Sequence, residues 1–192
     1  MISTQRNFAS MEATIASVEA IVIVVTENLD HVGRIQQQWR RERPDLDVAP
    51  QGIIGRLHRL AAFLTDELTA VYSDYGLSEG EFDVLATLRR AGAPFELAPH
   101  ELAGQTMVTT GAMTKRLDRL VAAGLVTRQP SVSDGRRRVV ALTKRGRRTI
   151  DDAFSDHMAN EHRLVEDLTP REAQQLQAIL TRWLKQYEPA AD

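Results

Sequence analysis

Apolar residues recur at helical spacing along most of the chain. Val32, Ile35 and Trp39, with Gln36, Gln37, Arg40 and Arg41 between them, predict a short helix that Asp30 caps and Pro44 ends. A linker over 45–52 containing Pro50 leads to a long helix over 53–75. Ile53, Leu57, Leu60, Leu64, Leu68, Val71 and Tyr75 line its stripe, which Ile54, Ala61 and Tyr72 widen. Gly76 takes the place where a left-handed residue ends a helix. Ser78 and Glu81 then form a capping box for a helix through Phe82, Leu85, Leu88 and Ala91, closed by Gly92.

A short helix over 98–104 carries Pro99 in its first turn, and 105–108 is read as a tight turn. Thr109 or Thr110 caps the next helix, which ends at Gly124. Strands over 125–129 and 138–142 flank a turn at Ser133-Asp134-Gly135. A helix-turn-helix followed directly by a hairpin is a winged helix. From Thr143 a helix runs to Leu168 through Ile150, Phe154, Met158 and Val165. Thr169-Pro170-Arg171-Glu172 is a second capping box, and the helix behind it is expected to bury Leu176, Ile179, Leu180, Trp183 and Leu184. The expected fold is thus mainly α, made α+β by the wing. It comprises an N-terminal extension over 1–29, N-terminal helices over 30–76, a winged helix-turn-helix domain over 77–147 and C-terminal helices over 148–192. The stripes on 53–75 and 170–184 are wider than a lone winged helix could cover, which leaves apolar surface for a second copy. The alternative is that these helices pack on each other within one chain. Residues 13–25 mix small and β-branched residues without a clean period, and no function is read from them.

Charge sharpens this picture. The stretch 109–150 holds eleven basic residues against Asp118 and Asp134, a local charge of +9 in a chain whose total is −2. Duplex DNA attracts a concentrated basic surface. A solvated charged face is the bland alternative, but here the charge sits on a helix-plus-hairpin pattern. With Leu117 at the centre of the buried face, Met113, Leu120 and Val121 fall near it, and Lys115 and Arg119 fall opposite. Lys115 and Arg119 can reach phosphates or base edges, and Thr110 and Thr114 can donate to phosphate from the flanks. Arg136, Arg137 and Arg138 at the hairpin suit an adjacent minor groove. Arg116 projects sideways, towards whatever packs beside the helix. Asp83, between Phe82 and Val84, needs a partner for its charge, and Arg116 could supply it.

The chain has no cysteine, which removes disulfides and thiolate chemistry. No apolar run near the start approaches the ~20 residues of a membrane span, so a cytoplasmic protein with no membrane partner is expected. No GxSxG, phosphate loop, HExxH or cysteine nucleophile is present, which argues against an enzyme. His31, His58, His100, His157 and His162 share no metal-ligand spacing. No cofactor or metal is expected. A zinc-sensing regulator and a constitutive DNA-binding protein without effector are the rivals.

The segment TTGAMTKRLDRLVAAGLV, the Asp134-x-Arg136 hairpin and the run LTKRG after it resemble the MarR family of winged-helix regulators. The segment 30–54, with Trp39 and the charged run 41–47, is similar to the extra N-terminal helix of the urate-responsive PecS branch. The resemblance covers 30–186. It implies a homodimer paired through first and last helices, a pseudo-palindromic operator in double-stranded DNA, and a small anionic or aromatic effector, urate or a related purine, with a phenolic acid or zinc as the alternative effector. It carries the effector role to Trp39, Asp83, Arg116 and Arg128. A structural role stays open for each: Trp39 as core, Asp83 with Arg116 as a fixed ion pair, and Arg128 as a phosphate contact. One departure bears on operator preference: Lys115 stands where PecS-type sequences usually have asparagine.

Overall fold

The computed structural model describes residues 29–106, 113–131 and 138–188. The chain divides into two compact units, Met1–Phe63 and Leu64–Asp192. In the first, helix α1 (His31–Glu42) opens on Asp30, whose Oδ1 accepts from Gly33 N at 2.8 Å. The same carboxylate takes Arg56 Nε and Nη2 at 2.9 and 2.7 Å, and these hydrogen bonds, with the Gly33 bond foremost, lower its pKa. The buried positions of α1 are Val32, Gly33 and Gln36, whereas Trp39 is 47% exposed. The face therefore lies to one side of the expected Val32–Ile35–Trp39 stripe. Gln36 Nε2 donates to the Val48 carbonyl at 2.8 Å, which makes a polar side chain tolerable there. Helix α2 (Ala49–Asp74) starts four residues before the expected Ile53. Asp47 Oδ1 accepts from Ala49 N at 2.9 Å, and Pro50 falls in the first turn, where its missing N–H costs nothing.

In the second unit, α2 ends at a turn in which Gly76 has φ 67°, and helix α3 (Glu79–Arg90) follows. Then come strand β1 (Glu96–Leu97), α4 (Pro99–Gln105), α5 (Met113–Ala122), β2 (Val126–Pro130), β3 (Arg138–Leu142), α6 (Lys144–Leu164) and α7 (Pro170–Leu184). The sheet is antiparallel in the order β1-β3-β2, with Val126 opposite Leu142 and Pro130 opposite Arg138. β2 and β3 lie where the alternation predicts strands, whereas β1 is unexpected. Two residues carry no periodicity, and β1 exists because β3 offers an edge, pairing Glu96 with Ala141 and Leu97 with Val140.

α3 is the hub of the core. Val84, Leu85 and Leu88 are wholly enclosed with Leu102, Leu120, Val126, Val140 and Ile150. Tyr72 of α2 stacks on Phe82 at 4.0 Å between centroids, and burial first, then nearby carboxylates, raise its phenol pKa to about 12. Thr143 caps α6 by accepting from Gly146 N at 2.9 Å, and its hydroxyl lies 2.8 Å from the Gly124 carbonyl. α6 ends at Leu164, short of the expected Leu168. The Thr169–Glu172 box opens α7 as expected, with Thr169 N and Oγ1 donating to Glu172 Oε2 at 2.9 and 2.6 Å. The expected burial of Leu176, Ile179, Leu180, Trp183 and Leu184 does not occur within one chain, because no described element covers α7 and none of its residues is buried. Among the described residues no helix is long and apolar enough to cross a membrane.

Candidate DNA-binding surface

α5 turns Met113, Leu117 and Leu120 into the core and leaves Thr114, Lys115, Asp118 and Arg119 exposed. Val121, expected on the buried face, is exposed in the last turn, past the end of the packed stripe. Arg138 opens β3 and is exposed. Thr110, Arg136 and Arg137 lie outside the described residues, as do the cap of this helix and the turn 133–135.

Polar contacts hang α5 on the opening turns of α3. Arg119 Nε donates to Glu81 Oε1 at 2.6 Å. The other oxygen of Glu81 accepts from Ser78 N and Ser78 Oγ at 2.9 and 2.7 Å. The glutamate thus closes the box, and Glu81 N also donates to the Ser78 carbonyl at 3.0 Å. Burial pushes the Glu81 carboxyl up, but the Ser78 and Arg119 hydrogen bonds outweigh it and hold its pKa below the ordinary value. Arg116 is half-buried and lies across Gly80, where a Cβ would collide with its Nε and come within 2.8 Å of Cζ. Only glycine permits that approach.

Asp83 is 8% exposed, and its ion pair among the described residues is with Arg90 Nη1 at 4.0 Å. Arg90 Nη2 also donates to the Gln105 carbonyl, so the end of α4 is tied to the same patch of α3. Arg116 of α5 is thus set against Gly80 in the first turn of α3, and Asp83 of α3 faces Arg90. Arg128 Nη1 lies 2.8 Å from Asp118 Oδ1 and joins β2 to α5. Arg89 Nε donates to Asp151 of α6 at 2.6 Å, and the guanidiniums of Arg89 and Arg147 lie 5.1 and 4.6 Å from the centre of the Phe95 ring.

Glu81, Gly80, Arg90 and Asp118 are the contributors that pattern reading did not assign to the site. Glu81 was legible only as a local cap, since nothing in sequence links it to an arginine 38 residues away. Among the described residues no group of three or more His, Cys, Asp or Glu could hold a metal ion.

A MarR family model matches residues 75–137. The HTH-type transcriptional regulator PecS of Dickeya dadantii is 41% identical over 151 residues, covering 79% of this chain and 91% of PecS. The HTH-type transcriptional repressor Rv2887 of Mycobacterium tuberculosis is 35% identical over 136 residues, or 71% of this chain and 94% of its own. Among solved structures, a MarR mutant from E. coli complexed with operator DNA superposes with TM-score 0.58 at 28% identity, over 76% of this chain and 97% of that one. Likeness of this extent, over most of PecS and on the fold of an operator-bound MarR, makes this chain a member of the MarR family: a DNA-binding transcriptional regulator of the PecS-like kind, not an enzyme.

Proposed function

We propose that two copies of this chain form a homodimer that represses transcription from a pseudo-palindromic operator and releases it on binding a small anionic aromatic effector, urate or a related purine. The observation that carries the dimer is the uncovered apolar face of α7, where Leu176, Ile179, Leu180 and Leu184 are all exposed in a single chain. A dimer presents two copies of α5, which the reading sets ~34 Å apart to meet successive major grooves. Thr114, Lys115 and Arg138 are the proposed DNA contacts among the described residues, joined by Thr110, Arg136 and Arg137; Arg119, expected with them, is tied to Glu81.

The effector reading is supported by what Arg116 and Arg128 already hold. Arg116 belongs to α5 and lies against Gly80, and Arg128 grips Asp118 of α5. An anion that recruits either guanidinium draws on a contact of the DNA-reading helix itself. Asp83, a carboxylate already short of solvent, is proposed with them as the group that an anion's charge would disfavour. The ligand then needs only to prefer the rearranged state to release DNA, since equal affinity for both shifts nothing. Trp39, about half exposed on α1, joins this set on the family resemblance alone.

Titrating urate into a protein–DNA mixture tests this. Release by wild type, blunted in Arg116→Ala, Arg128→Ala and Trp39→Ala proteins that still bind DNA, supports the reading. Release at unchanged urate concentration in those variants sinks the assigned residues. No release from wild type sinks urate as effector and leaves the operator function standing.

A further inference from the structure

Two arginines three positions apart on α5 both engage the opening turn of α3: Arg116 lies across Gly80, and Arg119 Nε donates to Glu81. An exposed arginine on a DNA-reading helix is ordinarily a mobile cation that meets phosphate. Arg119 is differently placed. Its Nε is committed to a carboxylate that is 8% exposed and whose second oxygen is held by the amide and hydroxyl of Ser78. The carboxylate cannot follow the arginine outward without breaking the start of α3. Withdrawing Arg119 towards DNA would leave Glu81 Oε1 charged, enclosed and without this partner, an expensive arrangement.

We infer that Glu81 is a positioning residue for operator recognition: through Arg119 it fixes the pitch of α5 against α3, so that Thr114 and Lys115 meet the groove in one orientation. Arg119 acts as a strut and not as a phosphate contact. The inference rests on operator binding and is independent of any effector.

The test uses the full-length protein and a duplex that wild type selects from random sequence, with a scrambled duplex of equal length and composition as control. Glu81→Gln keeps the shape and a hydrogen-bond acceptor but removes the charge. Arg119→Lys keeps the charge but loses the Nε donor. Each is expected to weaken binding to the selected duplex about tenfold, the scale of one hydrogen bond to a charged group. The double variant should be no weaker than either single one, because both remove the same link. Affinity for the scrambled duplex and the salt slope should stay at wild-type values.

Tighter binding of both duplexes by Glu81→Gln, with a salt slope lowered by about one in Arg119→Gln, would make Arg119 a phosphate contact that Glu81 restrains, and the strut falls. Additive losses in the double variant overturn it as well. Melting curves accompany each measurement. Arg119, half exposed, keeps the question answerable if Glu81→Gln fails to fold. Wild-type protein that selects no duplex overturns both the operator reading and this inference. Wild type that selects one, with every variant matching it, overturns the inference alone.

Discussion

A carboxylate as enclosed as that of Glu81 stays ionised because Ser78 and Arg119 donate to it, and this links stability to pH. Its native pKa lies below the ordinary glutamate value of 4.5. The ionised form therefore favours the folded state above that value, and the benefit is lost as pH falls through the native pKa. The melting difference between wild type and Glu81→Gln, present near neutral pH, should shrink as pH falls below 4.5 and close once the carboxyl is protonated in the folded state. Gly80 gives the complementary test. Alanine is the better helix former by up to about 1 kcal/mol, yet its Cβ would collide with Arg116. Gly80→Ala should keep or raise the melting temperature while weakening operator binding, and a variant that binds as wild type would show that Arg116 moves aside at no cost. At this scale the sequence disclosed residue type and local role but not partnership. Ser78 and Glu81 were legible as a cap because their spacing is local. Glu81 with Arg119 and Arg128 with Asp118 required the fold to bring them together, whereas Arg90 and Asp83 lie seven positions apart on one helix.

Elements were more readable than contacts, because period and punctuation act within a few residues. The boxes at Ser78 and Thr169, the left-handed glycines at 76 and 124 and both long strands of the wing stood in the expected places. The misses have physical causes. The end of the expected linker 45–52, Pro50 included, is instead the first turn of α2, where a proline is harmless, so α2 starts at Ala49. β1 is two residues long and is induced by β3. The face of α1 turned because Gln36, polar by type, finds the Val48 carbonyl. At the junction of α5, β2 and α6, Gly146 lets α6 lie close against the Leu125 backbone. A Cβ on Gly146 would overlap the Leu125 carbonyl oxygen and sit 2.8 Å from its carbon. Gly146→Ala should therefore destabilise by ~1–3 kcal/mol, as overpacking does, measured as a lower denaturant midpoint at unchanged slope. A neutral result would mean that α6 shifts freely against β2.

For the whole molecule, the sequence disclosed a surplus of apolar stripe without saying what covers it, and a single chain leaves that surplus open along α7. Leu180→Asp places a charge in the middle of the exposed face. It should leave the melting of one chain little changed while shifting the mass in solution from two copies to one. A variant that keeps the wild-type mass would place the dimer contact elsewhere. The basic stretch makes a second expectation. Lys115→Ala should weaken binding to all duplexes similarly and reduce the salt slope by about one, the signature of one lost phosphate contact. Strong loss on a single base-pair context would assign Lys115 to base reading instead.

The bare face of α7 also bears on dosage. If the form that grips an operator assembles from two chains, then at low abundance its quantity follows the square of the chain count. A twofold fall in synthesis would then cost about fourfold in bound promoter, by mass action alone. Such a gene would be silenced or released over a narrow span of expression before any small molecule arrived.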